Sequence, residues 1–135
     1  MSWLVDDFVG RVHGVSHALI LSSDGFPLVA SAGVSTVESE QLAAIASGLI
    51  SLAGNSASLF GKGVCEQIII RLTRGYFLFM SIDSGAGLAV LTGPECEMKV
   101  VAYEMTQFVT NAGHVLTPQA RADLRRVLTA HRPGQ

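Results

Sequence analysis

From Ser35 to Lys62 the chain reads STVESEQLAAIASGLISLAGNSASLFGK, and after Glu40 it carries no charge until Lys62. Leu42, Ile45, Ala46, Leu49, Ala53 and Phe60 fall on one side of a 3.6-residue period. Ile50 and Leu52 widen that side to about half the circumference. The pattern predicts a long helix with that side in the core. Ser35, three residues before Glu38, reads as a capping box, with Glu38 and Glu40 at the positive end of the helix dipole. Gly61 and Gly63 supply stops.

The other side of this helix holds Ala43, Ala44, Ser47, Gly48, Ser51, Gly54, Asn55 and Ser58, where a solvated face carries Lys, Glu and Arg. A glycine inside a helix costs about 1 kcal/mol against alanine, so Gly48 and Gly54 require a compensating contact. Close approach of another backbone supplies one. Either the helix is buried within one domain or it offers this side to a protein partner, and the second is the expectation. The length would suit a membrane span. Ser, Gly and Asn over half the surface, with no basic flank or aromatic belt, argue against insertion.

Around this helix the pattern gives the other elements. Ser2 to Val12 reads as a first helix, with Leu4, Val5, Phe8, Val9 and Val12 in one stripe and Gly14 as its stop. VSHALILSSDGFPLVASA is two apolar runs about Ser23-Asp24-Gly25, a hairpin. After the long helix come CEQIIIRLT, a turn at Arg74-Gly75, YFLFMSI, a turn over Asp83-Ser84-Gly85-Ala86-Gly87, and LAVLT. These strands do not alternate cleanly; Ile68 to Ile70 and Tyr76 to Met80 are apolar on both faces, as in a sheet with helices on both sides. Pro94, Glu95 and Glu97 mark the start of a third helix, in which Met98, Val101, Ala102, Met105, Phe108, Val109 and Ala112 repeat before Gly113. A last helix starts at Thr117-Pro118 and presents Leu124, Val127 and Leu128, with Ala130 to Gln135 frayed. The order is α-β-β-α-β-β-β-α plus a C-terminal helix: a three-layer α/β sandwich on a five-stranded antiparallel sheet.

At 135 residues the chain makes one domain with a core of its own. An apolar fraction of 49% against 15% charged residues is high for a lone monomer, which again points to covered surface. A net charge of −2 gives no footprint for nucleic acid. Arg121, Arg125, Arg126 and Arg132 beside Asp123 make the tail basic, as a solvated helix face does. Cys65 and Cys96 show neither C-x-x-C nor zinc spacing, and MSWLVDDF is not a signal peptide, so the expectation is a cytoplasmic protein with two reduced thiols.

Chemistry is not visible. GKG at Gly61 to Gly63 lacks the spacing and hydroxyl of a phosphate loop, and no G-x-S-x-G elbow is present. His13, His17, His114 and His131 lie on separate elements without metal spacing, and His17 reads as a packed sheet residue. Asp24 and Asp83 are turn residues, and Glu66, Arg71 and Arg74 read as a surface strand. No catalytic residue, cofactor or metal is expected, and the chain reads as a non-enzyme.

With these elements in place, VSHALILSSDGFPLVASAG, LAAIASGLISLAG and QIIIRLTRGYFLFMSID make the chain resemble the roadblock / dynein light chain family, a branch of the profilin-like folds. The resemblance covers about Val5 to Gly113. It implies a roadblock-like domain over 1–116 and a helical extension over 117–135, as bacterial members often carry. It implies a homodimer in which the strand Glu66 to Thr73, bearing Ile68, Ile69 and Ile70, pairs with its copy. An open edge of that kind would otherwise invite aggregation. The two long helices then lie together, giving Gly48, Ser51 and Gly54 a role. Bacterial relatives bind small Ras-like GTPases through that face, and some accelerate hydrolysis by reorganising the GTPase's own residues. The interface residues expected here are Ala44, Ser47, Gly48, Ser51, Gly54, Asn55, Ser58, Ile68, Ile69 and Ile70. Two other readings stand beside the GTPase regulator: an adaptor of a larger assembly, and a small-molecule sensor.

Overall fold

The computed structural model describes residues 2–82 and 85–116, together with 119, 120, 122–124 and 126. Eight elements follow in the order α1 (Ser2–Arg11), β1 (Val15–Ser22), β2 (Pro27–Ala30), α2 (Thr36–Leu59), β3 (Gln67–Leu72), β4 (Gly75–Ile82), β5 (Ala86–Thr92) and α3 (Met98–Val115). The strands form one five-stranded antiparallel sheet in the order β2-β1-β5-β4-β3, so β2 and β3 are its edges. This is the sandwich that the sequence predicts. The described residues from 119 to 126 are helical, and Leu124 packs on the core. Asp83, Ser84, Thr117, Pro118, Arg121, Arg125 and 127–135, with the expectations placed on them, lie outside the described residues.

Two cores explain the missing alternation. One face of the sheet, with Ala18, Ile20, Leu78, Leu88 and Val90, is covered by Val5 and Phe8 of α1 and by Val101, Met105 and Phe108 of α3. The opposite face, with Leu19, Leu21, Phe77, Phe79 and Ala89, lies under Ala43 and Ala46 of α2. β4 and β5 are covered on both sides and need apolar residues at consecutive positions. The edge strand β3 does alternate, because only its α2 side is half covered.

Three expectations are corrected. The third helix begins at Met98, not Pro94, with Glu97 as an N-cap that makes no side-chain capping bond. The segment before it is held across Gly14: the Gly93 N–H donates to the Gly14 carbonyl at 2.9 Å, and a Cβ on Gly14 would sit 2.6 Å from that of Cys96. Gly14 has φ +90, so this glycine both ends α1 and admits the later loop. Gly113 does not end α3, which continues to Val115. Ala86 and Gly87 belong to strand β5 and not to the preceding turn.

Candidate protein-interaction surface

α2 is fixed at both ends by local chemistry. The Glu38 N–H donates to the Ser35 hydroxyl at 3.1 Å and the Ser35 N–H donates to Glu38 Oε1 at 2.9 Å, completing the capping box. The hydrogen bond from the Ser35 backbone holds the Glu38 carboxyl below its ordinary pKa, helped by the Ser35 hydroxyl and, less, by His17. At the far end the Lys62 N–H donates to the Ala57 carbonyl at 2.7 Å and the Gly61 N–H to that of Ser58 at 3.3 Å. With Gly61 at φ +65 this is a Schellman closure.

Between those ends lie 24 helical residues, of which only Ser39, Ala43 and Ala46 are buried. α2 is also long and apolar enough to cross a membrane. The inner side is the Ser39–Ala43–Ala46 line, so Ala43 belongs to the core and not to the small-residue side. Leu42, Leu49 and Ile50 are half-buried beside it. Ile45 and Leu52 are turned out, 57% and 69% exposed, as are Leu59 at 77% and Phe60 at 72%. Ile45, Leu52 and Phe60 thus correct the sequence reading: one helix resting on a sheet by a line of alanines cannot also bury every large residue on an apolar half. Exposed apolar side chains in a contiguous row mark an interaction surface more strongly than small residues do.

Of the residues expected at an interface, Ala44, Gly48, Ser51, Asn55 and Ser58 are exposed, and Ser47 and Gly54 are half-buried. Ser47 lies over the β1–β2 turn, where a Cβ on Gly25 would be 3.4 Å from its hydroxyl. A Cβ on Gly48 or on Gly54 would meet nothing within 4 Å, so packing inside this chain requires neither glycine.

β3 stands alongside as an open edge. The Ser81 N–H donates to the Glu66 carbonyl at 3.0 Å, and the register pairs Ile68 with Phe79 and Ile70 with Phe77. Alternation along an antiparallel ladder therefore turns the N–H and C=O of Gln67, Ile69 and Arg71 to the open side. Ile68 and Ile70 are half-buried on the α2 face, whereas Ile69 points to the other face and is 48% exposed.

Chemistry has little to stand on. No group of three or more metal-ligating side chains occurs among the described residues. Asp24 accepts the Ser22 hydroxyl within the β1–β2 turn. His17 is half-buried, with Nδ1 2.8 Å from the Ser16 hydroxyl, and lines a cleft of about 230 Å³ with Gln41, Leu42, Ile45 and Leu91. A second cleft of about 200 Å³ lies between α1 and α3, where Arg11 pairs with Glu104 at 2.6 Å and Asp7 at 3.3 Å. Those bonds, the Glu104 one first, raise the Arg11 pKa. Both clefts are smaller than the roughly 300–1,000 Å³ of small-molecule sites.

The comparisons agree with this architecture. The Roadblock/LC7 domain family model matches residues 1–92. A Roadblock/LC7 domain from Streptomyces avermitilis is 32% identical over 87% of this chain and 98% of its own, with a TM-score of 0.80. MglB from Myxococcus xanthus shares the fold at 11% identity, over 84% of this chain and 92% of its own, with a TM-score of 0.78. Profilin IB from Acanthamoeba castellanii does so at 17%, over 84% and 97%, with a TM-score of 0.59. No curated protein gives a significant sequence match.

Proposed function

The chain belongs to the Roadblock/LC7 family, and from that premise we propose that it works in the cytoplasm as a self-paired, non-enzymatic regulator or scaffold for a small Ras-like GTPase. The observation that carries the reading is the outer side of α2: an exposed helix surface without a charge between Glu40 and Lys62, set beside the open edge of β3. β3 pairs with its copy through Gln67, Ile69 and Arg71, extending one sheet across two chains. The GTPase docks on the small-residue side, at Ala44, Gly48, Ser51 and Asn55. That side offers no arginine, so any effect on hydrolysis comes from repositioning the GTPase's own residues. Bacterial members of the family that bind such GTPases support the choice of partner.

The test is a pull-down of purified small GTPases, loaded with GDP or a GTP analogue, on the full chain. Nucleotide-dependent capture that Ser51→Arg abolishes is the expected result. Equal and negligible capture of both forms would overturn the GTPase reading. A stable dimer that captures no GTPase favours the adaptor instead.

A further inference from the structure

The cleft between α2 and the sheet has apolar walls, from Leu42, Ile45 and Leu91, and polar groups from His17, Glu38 and Gln41. Two of those groups are fixed as acceptors. The Ser16 hydroxyl gives its proton to the Leu91 carbonyl at 3.1 Å, so toward His17 it can only accept. His17 Nδ1, 2.8 Å away, is therefore the ring nitrogen that carries a hydrogen, and Nε2 of the neutral ring keeps a lone pair. Glu38 is exposed at the mouth, and its Oε1 accepts the Ser35 N–H at 2.9 Å. Its lowered pKa keeps this carboxylate charged at neutral pH. No ion pair to it occurs among the described residues.

At about 230 Å³ the cleft is too small for an ordinary small-molecule ligand and of the size of one long side chain. Acceptors and a carboxylate at the end of an apolar slot call for a group rich in donors, without acceptors, on an apolar stem. Arginine is that group: a planar fork of N–H donors on methylenes that pack against apolar surface. Lysine, a strongly hydrated point charge, fits less well. The positive end of α2 opposes a cation there, but with about half an elementary charge against the full charge of Glu38, and the carboxylate wins. Resting on the reading that a GTPase docks on α2, we infer that the partner inserts an arginine into this cleft. Its stem lies along Leu42 and Ile45 and its guanidinium meets Glu38 and His17.

The anchor supplies what the rest of the surface lacks. From Gln41 to Gly61 the chain carries no charge, so the small-residue side cannot by itself fix which way a docked protein lies along the helix. An arginine held at the Glu38 end does so. At 100° per residue, Glu38 and Leu42 fall on the flank of α2 opposite Ala44 and Ser51, so the partner grips the helix from both sides.

Two small probes test the site in the full chain at about pH 8, where an imidazole is ordinarily neutral. N-acetylarginine methylamide, and N-acetylnorleucine methylamide as its uncharged counterpart, are titrated while the side-chain methyl NMR signals are followed. The arginine probe should shift Leu42, Ile45 and Leu91, and the norleucine probe should not. Glu38→Gln removes the charge and keeps the capping box, because glutamine serves equally at that position. With an unchanged CD spectrum, this variant should lose the arginine-specific shifts. In the pull-down it should weaken GTPase capture about three- to ten-fold and flatten its salt dependence. Equal shifts with both probes, none with either, or shifts that persist in Glu38→Gln overturn the arginine site. Capture by Glu38→Gln at wild-type strength also overturns it, and the GTPase reading then stands without it. A wild-type chain that shows the arginine-specific shifts but captures no GTPase keeps the site and overturns the GTPase reading.

Discussion

A Cβ placed on Gly87 would lie 2.2 Å from Cε2 of Phe79. Gly87 sits in β5 and Phe79 in β4, and the Phe79 ring, 2% exposed, occupies the space that a side chain at 87 would take. Gly87→Ala must push that ring into α2. The expected cost is about 1–3 kcal/mol by urea denaturation. In a Phe79→Leu background the same change should cost less, because the smaller side chain leaves room, and a double-mutant cycle reads the coupling.

Gly87 also marks where the sequence stops being legible. Ser35 with Glu38, and Gly61, announce the ends of α2 because capping acts over a few residues of one chain. The same locality makes the β1–β2 hairpin and the β3–β4 turn readable. A glycine next to a turn looks like part of that turn, and only the Phe79 ring shows why it lies in a strand. Likewise Gly14 reads as a helix stop, while its contact with Cys96 is long-range. Periodicity identifies an apolar side on α2, but it cannot say which neighbour covers it. Ile45 and Leu52 are therefore indistinguishable from core residues until the sheet is seen to end at β3.

Phe8 and Phe108 tie α1 to α3, with ring centroids 5.3 Å apart at 68° in an edge-to-face contact. Phe8 is fully buried. Truncation removes its transfer energy and leaves a cavity beneath two helices, so Phe8→Ala should cost about 3–5 kcal/mol. Chemical denaturation should show a lower midpoint with an unchanged slope if the native fold is kept.

The capping box gives a signed pH response. Glu38 ionises more readily in the fold than in the unfolded chain, because its carboxylate accepts from Ser35. Its contribution is present above the unfolded pKa and is lost as pH falls through the lower folded value. A carboxyl-carbon NMR titration should place Glu38 below the ordinary glutamate value of about 4.3, and Ser35→Ala should move it only part of the way back up, because the backbone N–H at 35 still donates to the carboxylate. The same variant should lose about 1 kcal/mol at neutral pH, with less of that difference left in acid.

Parity along β3 gives the most direct test of an edge that pairs. Ile70 faces β4 with its N–H, whereas the Ile69 N–H is turned to the open side. Proline removes one N–H and prefers the extended backbone of an edge strand. At position 69 it therefore spares the ladder within the chain and removes only a bond that a second copy would receive. At position 70 it breaks the β3–β4 ladder itself. Ile69→Pro should keep its CD spectrum and most of its thermal stability, yet scatter light as a single chain. Ile70→Pro should lose about 1–3 kcal/mol of folding stability, the cost of leaving its ladder partner on β4 unpaired. Were Ile69→Pro to remain as dimeric as the wild type, the free N–H row of β3 would play no part in association, and the contact would rest on α2 alone.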